Sequence, residues 1–344
     1  METVWFILIG LVVAAYAATD GFDLGVGMLS PLIARDGAER AAVRATIINT
    51  WLAYEVWLAA MGGLLFMAFP RAYAAGFSGF YLAFMILVWC LIGRGLSLEM
   101  RSHFREPVWQ TACDILFPIS SFLVAFSLGT AVGNVLRGVP LDTQGRIFLP
   151  LWTNLSLDGK SAIFDWYTLI AGFLAAAVCS LHGANYLALK TAGDLRQRAR
   201  RLARLAAMPT GGLALATAIL TPLINPALSA NYAAHPATFM IIACVVIAFV
   251  ATVVLGRVGY DSATFAASGL LIVGFVASAA IALYPNLLPA RPDPQYSLTI
   301  HNAAAGSYGL TVALIWFGVG LGLIGFYTFF VRRLFARRVN PRKP

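Results

Sequence analysis

The stretch Thr19-Asp20-Gly21-Phe22-Asp23-Leu24-Gly25-Val26-Gly27 decides how this chain folds. It lies inside an apolar segment that begins near Val4 and runs to about Ile33. A helix needs about 20 apolar residues to cross a bilayer, and this segment supplies them. Asp20 and Asp23 therefore sit within a membrane helix, three apart and on roughly one face. A carboxylate at bilayer depth costs about 3 kcal/mol on insertion scales. Two of them need either a use, such as a proton or ion path, or donors at a helix contact that satisfy them.

The rest of the chain agrees with a membrane setting. Of its 344 residues, 60% are hydrophobic and only 11% charged, too apolar for a domain with a polar surface. The composition implies an all-α integral membrane protein, with residues 1–344 forming a single polytopic domain. Nine spans are expected, at about 4–33, 48–69, 77–98, 115–136, 164–189, 203–225, 237–256, 262–284 and 307–331. No Lys or Arg precedes Arg35, so the basic start of a signal peptide is missing and the first helix is expected to stay.

Charge sets the expected orientation. Nine spans put Arg35, Arg40, Arg44, Arg94, Arg101, Arg105, Lys190, Arg196, Arg198, Arg200, Arg201, Arg204, Arg257 and the basic tail from Arg332 to Lys343 on one side. Only Arg71, Arg137, Arg146, Lys160 and Arg291 fall on the other. The positive-inside rule then places the N-terminus outside and the C-terminus in the cytoplasm. The net charge of +9 is thereby a matter of topology and does not point to nucleic acid. On the outer side, Pro140–Lys160 and Pro285–Gly306 are long connections rich in Pro, Asp and Asn, expected to be ordered surface loops.

Given this orientation, Asp20, Asp23, Glu55 and His182 share one layer in the inner half of the membrane. Such a layer suits protons entering from the cytoplasm. Each residue also has a plainer reading. Glu55 could pair with an arginine of a neighbouring loop, and His182 could be a hydrogen-bonded core histidine with Tyr186 one turn on. Trp51 and Trp57 could pack or anchor at the interface. Arg94 and Glu99 read as snorkelling or paired charges at a helix edge. His182 is the only deeply placed histidine, so the chain offers poor haem ligation. Cys90, Cys113, Cys179 and Cys244 form no C-x-x-C pair and read as small apolar residues, not metal ligands. No phosphate-binding loop, serine elbow or H-E-x-x-H motif occurs.

Five motifs in order resemble subunit II of the cytochrome bd-type quinol oxidases. They are Thr19–Gly27, Ala74–Tyr81, Gly133–Pro140 with Asn134, His182–Thr191 with Tyr186, and Tyr296–Ala304. Gly21 and Gly25 belong to the first. The resemblance implies a heterodimer that reduces O₂ with quinol in the bacterial inner membrane. Its subunit I carries haem b and haem d, while this chain ligates none. It also implies a possible structural quinone, a small single-helix subunit in some complexes, and contacts with quinol and lipid. The role implied for this subunit is to stabilise subunit I and to help bring in protons or oxygen. One departure stands out. The family pattern W-D-x-N-E/Q-V-W appears here as Trp51-Leu52-Ala53-Tyr54-Glu55-Val56-Trp57, so the aspartate of a proton route is Leu52. Any such route would rest on Glu55 and Asp23. The competing class is a haem-free secondary transporter or proton channel. The first, second and fifth spans, whose polar faces need a home, are the expected contacts with subunit I.

Overall fold

The computed structural model describes residues 1–104, 106–153, 155 and 162–334. Arg105, Lys160, Arg337, Arg338, Arg342 and Lys343, all counted in the charge bias, lie outside these residues. So does most of 154–161 within the first long connection.

Twelve α-helices make up the described chain: α1 Glu2–Ile33, α2 Gly37–Ala45, α3 Trp51–Ala68, α4 Pro70–Gly79, α5 Tyr81–Glu99, α6 Pro107–Arg137, α7 Trp166–Lys190, α8 Gly193–Ile224, α9 Ala227–Ala234, α10 Phe239–Val258, α11 Asp261–Leu283 and α12 Ser307–Leu334. Among the described residues, nine are long and apolar enough to cross a membrane, namely α1, α3, α5, α6, α7, α8, α10, α11 and α12. They match the nine expected segments in order.

The boundaries differ where local chemistry overrides hydropathy. The segment expected from residue 77 starts at Tyr81, because Pro70 at the first helical position launches the separate helix α4. α8 begins ten residues before the expected 203, at Gly193. Its extra turns carry arginines that pair with carboxylates of neighbouring elements: Arg198 with Glu39 at 2.5 Å, Arg196 with Asp261 at 2.5 Å and Arg200 with Asp261 at 2.8 Å. α2 has no apolar window either. It forms because Asp36 caps it, accepting from the Glu39 N–H at 2.8 Å. The backbone N–H of Arg35, donating to Glu39, holds that carboxyl below the usual range.

α7 is the central helix, packed against α1, α6, α8 and α11. Over half of its apolar window (56%) is buried within the chain, against 6% for α12. Small residues allow this close packing. A side chain on Gly25 of α1 would run into the backbone at Cys179 and Gly183 of α7, and one on Gly183 would strike Gly25. Gly129 and Gly133 of α6 meet Ala171 and Gly172 or Thr168 of α7 in the same way.

The second long connection, residues 285–306, carries regular structure. Strands β1 (Asn286–Leu288) and β2 (Leu298–Thr299) pair antiparallel within it. Val139 bridges to Ala290, tying the end of α6 to this loop. A core of Trp5, Phe69, Val139, Leu149, Ile163, Leu288, Ile300 and Leu310 seals that end of the bundle. The Trp5 indole N–H donates to Leu310 O at 3.1 Å. Of the cysteines, Cys90 and Cys113 are buried, Cys179 is half-buried and Cys244 is exposed on α10.

Candidate functional site

Among the described residues, Arg94 and Arg137 are the most deeply buried arginines, each against an aspartate of another element. The first pair joins α5 to α1. Arg94 and Asp20 are both fully enclosed. The guanidinium grips the carboxylate with a fork, Nη2 to Oδ1 at 2.5 Å and Nη1 to Oδ2 at 2.9 Å. Nη1 also reaches Glu55 Oε1 of α3 at 3.5 Å. The Glu55 side chain is 27% exposed, so this third group leads from the buried pair toward the surface of the bundle. Arg94 is thus no snorkelling edge charge. An arginine can stay at this depth because Asp20 neutralises it on a helix packed nearby.

Asp23 lies one turn further along α1, fully buried. Neither of its oxygens has a hydrogen-bond partner among the described residues, and neither does the Arg94 Nε. The Tyr16 hydroxyl, one turn before Asp20, is buried and unpartnered in the same way. Tyr16, Asp20 and Asp23 therefore form one polar stripe on α1 with spare hydrogen-bonding capacity.

His182 takes no part in this cluster. Its Nε2 lies 3.1 Å from Ala18 O and its Nδ1 2.7 Å from Ser268 Oγ. The ring stacks on Phe265 at 4.6 Å. Both nitrogens are engaged, so the side chain does not present a free nitrogen to an axial site. Ser268 Oγ also lies 2.9 Å from Phe265 O, so one hydroxyl proton serves two acceptors when the ring is neutral. Among the described residues no three His, Cys, Asp or Glu converge as a metal site.

The remaining motif residues have structural contacts. Trp51 donates its indole N–H to Glu99 Oε1 at 2.8 Å. Trp57 is half-buried on α3. Tyr186 donates to Thr46 O at 2.7 Å and stacks on Phe22 at 4.2 Å. Gly21 faces Cys179 and Ile272, and Gly25 makes the close approach to α7 described above. Leu52, where the family pattern has aspartate, is 61% exposed on α3.

The second pair lies at the other end of the bundle. Arg137, the last residue of α6, is ion-paired with Asp165, which caps α7. Asp165 Oδ1 accepts from the backbone N–H of Tyr167 at 2.8 Å and of Thr168 at 2.9 Å. Arg137 Nη1 also donates to Ala162 O at 3.0 Å, and Nη2 to Asn134 Oδ1 at 2.8 Å. Asn134 in turn donates to Thr130 O and Ile163 O, both at 2.9 Å.

Sequence alone marks Arg94 as a snorkelling or paired charge at a helix edge and Arg137 as one of the charges on the opposite side, and names neither Asp20 nor Asp165 as a partner. The available signal was an arginine within an apolar run, facing an unexplained carboxylate at matching depth on another span.

Nine candidate spans among the described residues, with a buried ion cluster joining α1, α3 and α5, define a polytopic membrane protein with ionisable groups in its interior. Residues 1–335 match the family described as cytochrome bd terminal oxidase subunit II. The chain is 30% identical to cytochrome bd-I ubiquinol oxidase subunit 2 of Escherichia coli (strain K12), across 93% of this chain and 90% of that protein. It is 29% identical to cytochrome bd ubiquinol oxidase subunit 2 of Bacillus subtilis (strain 168), across 100% and 98%. The fold is shared with a chain of the bd oxidase from Geobacillus thermodenitrificans at a TM-score of 0.75 and 20% identity, covering 97% of this chain and 98% of that one. The chain belongs to the cytochrome bd terminal oxidase subunit II family. It is a multi-pass protein of the bacterial inner membrane.

Proposed function

We propose that this chain stabilises the haem-bearing subunit I of its oxidase and offers protons a way inward through Glu55 and Asp23, beside the Asp20 carboxylate that Arg94 holds in place. Family membership makes it a subunit of a respiratory quinol oxidase complex that holds haem. On our reading, haem b and haem d both sit in subunit I. The engaged nitrogens of His182 favour this assignment. Residues 1–344 act as one domain, with the N-terminus outside and the arginine-rich end in the cytoplasm. A structural quinone, a small single-helix subunit, quinol and lipid complete the expected set of partners.

One observation carries the proton reading: a half-exposed carboxylate, Glu55, touches a buried arginine whose other partner lies one turn from an unpartnered buried carboxylate. A purely structural ion pair needs neither Glu55 nor Asp23. With Leu52 in place of the family aspartate, Glu55 becomes the entry group. Arg94 holds Asp20 fixed, and Asp23 is the inner relay.

The test is co-expression with the chain's subunit I, followed by a reduced-minus-oxidised spectrum and quinol-driven O₂ uptake. Haems b and d should co-purify. Glu55→Gln and Asp23→Asn should leave the spectrum intact and lower turnover about tenfold or more, as the loss of a proton-transfer group does. Unchanged turnover in both variants would remove the proton role and leave the stabilising one. A haem-free preparation that conducts protons alone would favour the channel reading.

A further inference from the structure

A cavity of about 390 Å³ opens between α7, α8, α10 and α11 at the arginine-rich end of the bundle. It adjoins a polar mouth of about 500 Å³, and Arg200, Arg204, Gly256 and Arg257 line both. The two parts differ in chemistry. The inner part is walled by Ala207, Met208, Phe249 and Val253. The mouth gathers Arg35, Arg201, Arg204 and Arg257, all exposed. None of these four guanidinium groups has a hydrogen-bond or ion-pair partner among the described residues. Arg200 is different, being held by Asp261 and by Gly259 O. The one carboxylate at the mouth beyond that pair is Asp194, so the mouth stays strongly positive.

A second observation points into the cavity. Asn185 of α7 is 3% exposed, lines the inner part, and its Nδ2 has no acceptor among the described residues. A buried amide N–H without an acceptor costs free energy, which a ligand oxygen would recover.

We propose that this crevice binds one anionic phospholipid of the adjacent leaflet. Its phosphodiester sits among Arg201, Arg204 and Arg257, an ester or phosphate oxygen accepts from Asn185, and its acyl chains leave along α8 and α10. Topology alone would ask only for arginines near the membrane surface. It does not require an apolar cleft beneath them or an amide donor in its wall. Basic pockets between membrane helices are the usual setting for anionic headgroups. The site is remote from the Arg94 cluster in its contacts, and the proposal stands whether or not that cluster moves protons.

The test uses the complete oxidase, delipidated in mild detergent and titrated with phosphatidylglycerol, phosphatidylethanolamine or inorganic phosphate. Native mass spectrometry reads bound lipid and thermal unfolding reads the gain in stability. Wild type should bind one phosphatidylglycerol more tightly than phosphatidylethanolamine, and phosphate alone should give no stabilisation. Arg204→Gln with Arg257→Gln should weaken binding about thirtyfold, at roughly 1 kcal/mol for each arginine. The corresponding Lys pair should retain most of the affinity, and Arg40→Gln, at the same end but outside the cavity, should change nothing. Equal binding of the two lipids by wild type would overturn the proposal without recourse to any variant. Full stabilisation by phosphate would assign the site to a free anion instead. Undiminished binding in the Gln pair would overturn it as well.

Discussion

Arg94 and Arg137, the two most deeply buried arginines among the described residues, make the same kind of bond and leave different residues behind. At Arg137 the donors are spent on Asp165, Ala162 O, Asn134 Oδ1 and, more weakly, Gly138 O. Asp165 is also committed, capping α7 through two backbone N–H groups. Asn134 uses its oxygen and its amide. At Arg94 the fork to Asp20 is tight, but the Nε is unpartnered, Glu55 is held only at 3.5 Å, and Asp23 touches no donor. A saturated network fixes one geometry, because every rearrangement breaks a bond. An unsaturated one keeps groups that can exchange a proton or a partner. The first centre locks α6 to α7 and the loop before it. The second is where chemistry has room.

The largest expected effects come from removing either arginine. Arg94→Leu strands Asp20 and Arg137→Leu strands Asp165, and breaking such a buried pair costs about 3–5 kcal/mol. Thermal unfolding and yield of the assembled oxidase should show a comparable loss in both. A sharper separation follows from removing both partners. Arg94→Leu with Asp20→Leu should regain most of the lost stability, since apolar residues often replace a buried ion pair without cost. Arg137→Leu with Asp165→Leu should not, because it also deletes the cap of α7, worth about 1 kcal/mol, and strips Asn134 Oδ1 and Ala162 O of their donor. Equal recovery in the two double variants would erase the distinction between the centres.

Smaller effects separate the centres by kind. Asn134→Leu removes two donated bonds and one accepted bond from buried groups and should cost about 1–3 kcal/mol, with turnover per haem unchanged. Glu55→Gln loosens a long, half-exposed contact and should shift stability by about 1 kcal/mol or less. Its effect should appear in turnover. A variant pair with the reverse pattern would place the chemistry at the wrong end of the bundle.

Much of this was legible in the amino-acid sequence. Nine spans emerge from hydropathy because a bilayer imposes a length on every crossing. Asp20, Asp23 and Glu55 stand out for the same reason, each being costly where it is. Hydropathy could not show α2, or the first ten residues of α8, because those helices lie among charges and are held by Asp36 and by the Arg198–Glu39 and Asp261 pairs. Nor could it place Arg94. Five residues from the end of α5, an arginine can snorkel or turn inward, and only the position of Asp20 on a neighbouring helix decides. His182 has the expected burial, but its partners come from α1 and α11, and no spacing along α7 encodes them. Asp20 and His182, on the polar faces of α1 and α7, are paired inside this chain, whereas Asp23 and Asn185 on the same helices keep buried atoms without a partner among the described residues.

The most direct measurement is proton uptake during a single turnover of the reconstituted oxidase, followed with a pH indicator on the arginine-rich side. Asp23→Asn and Asn134→Leu should be compared at equal haem content. The account predicts that Asp23→Asn slows uptake about tenfold or more while Asn134→Leu leaves it at the wild-type rate. If Asp23→Asn took up protons as fast as wild type, the unsaturated centre would be only a second structural clamp, and the difference between the two arginines would carry no function.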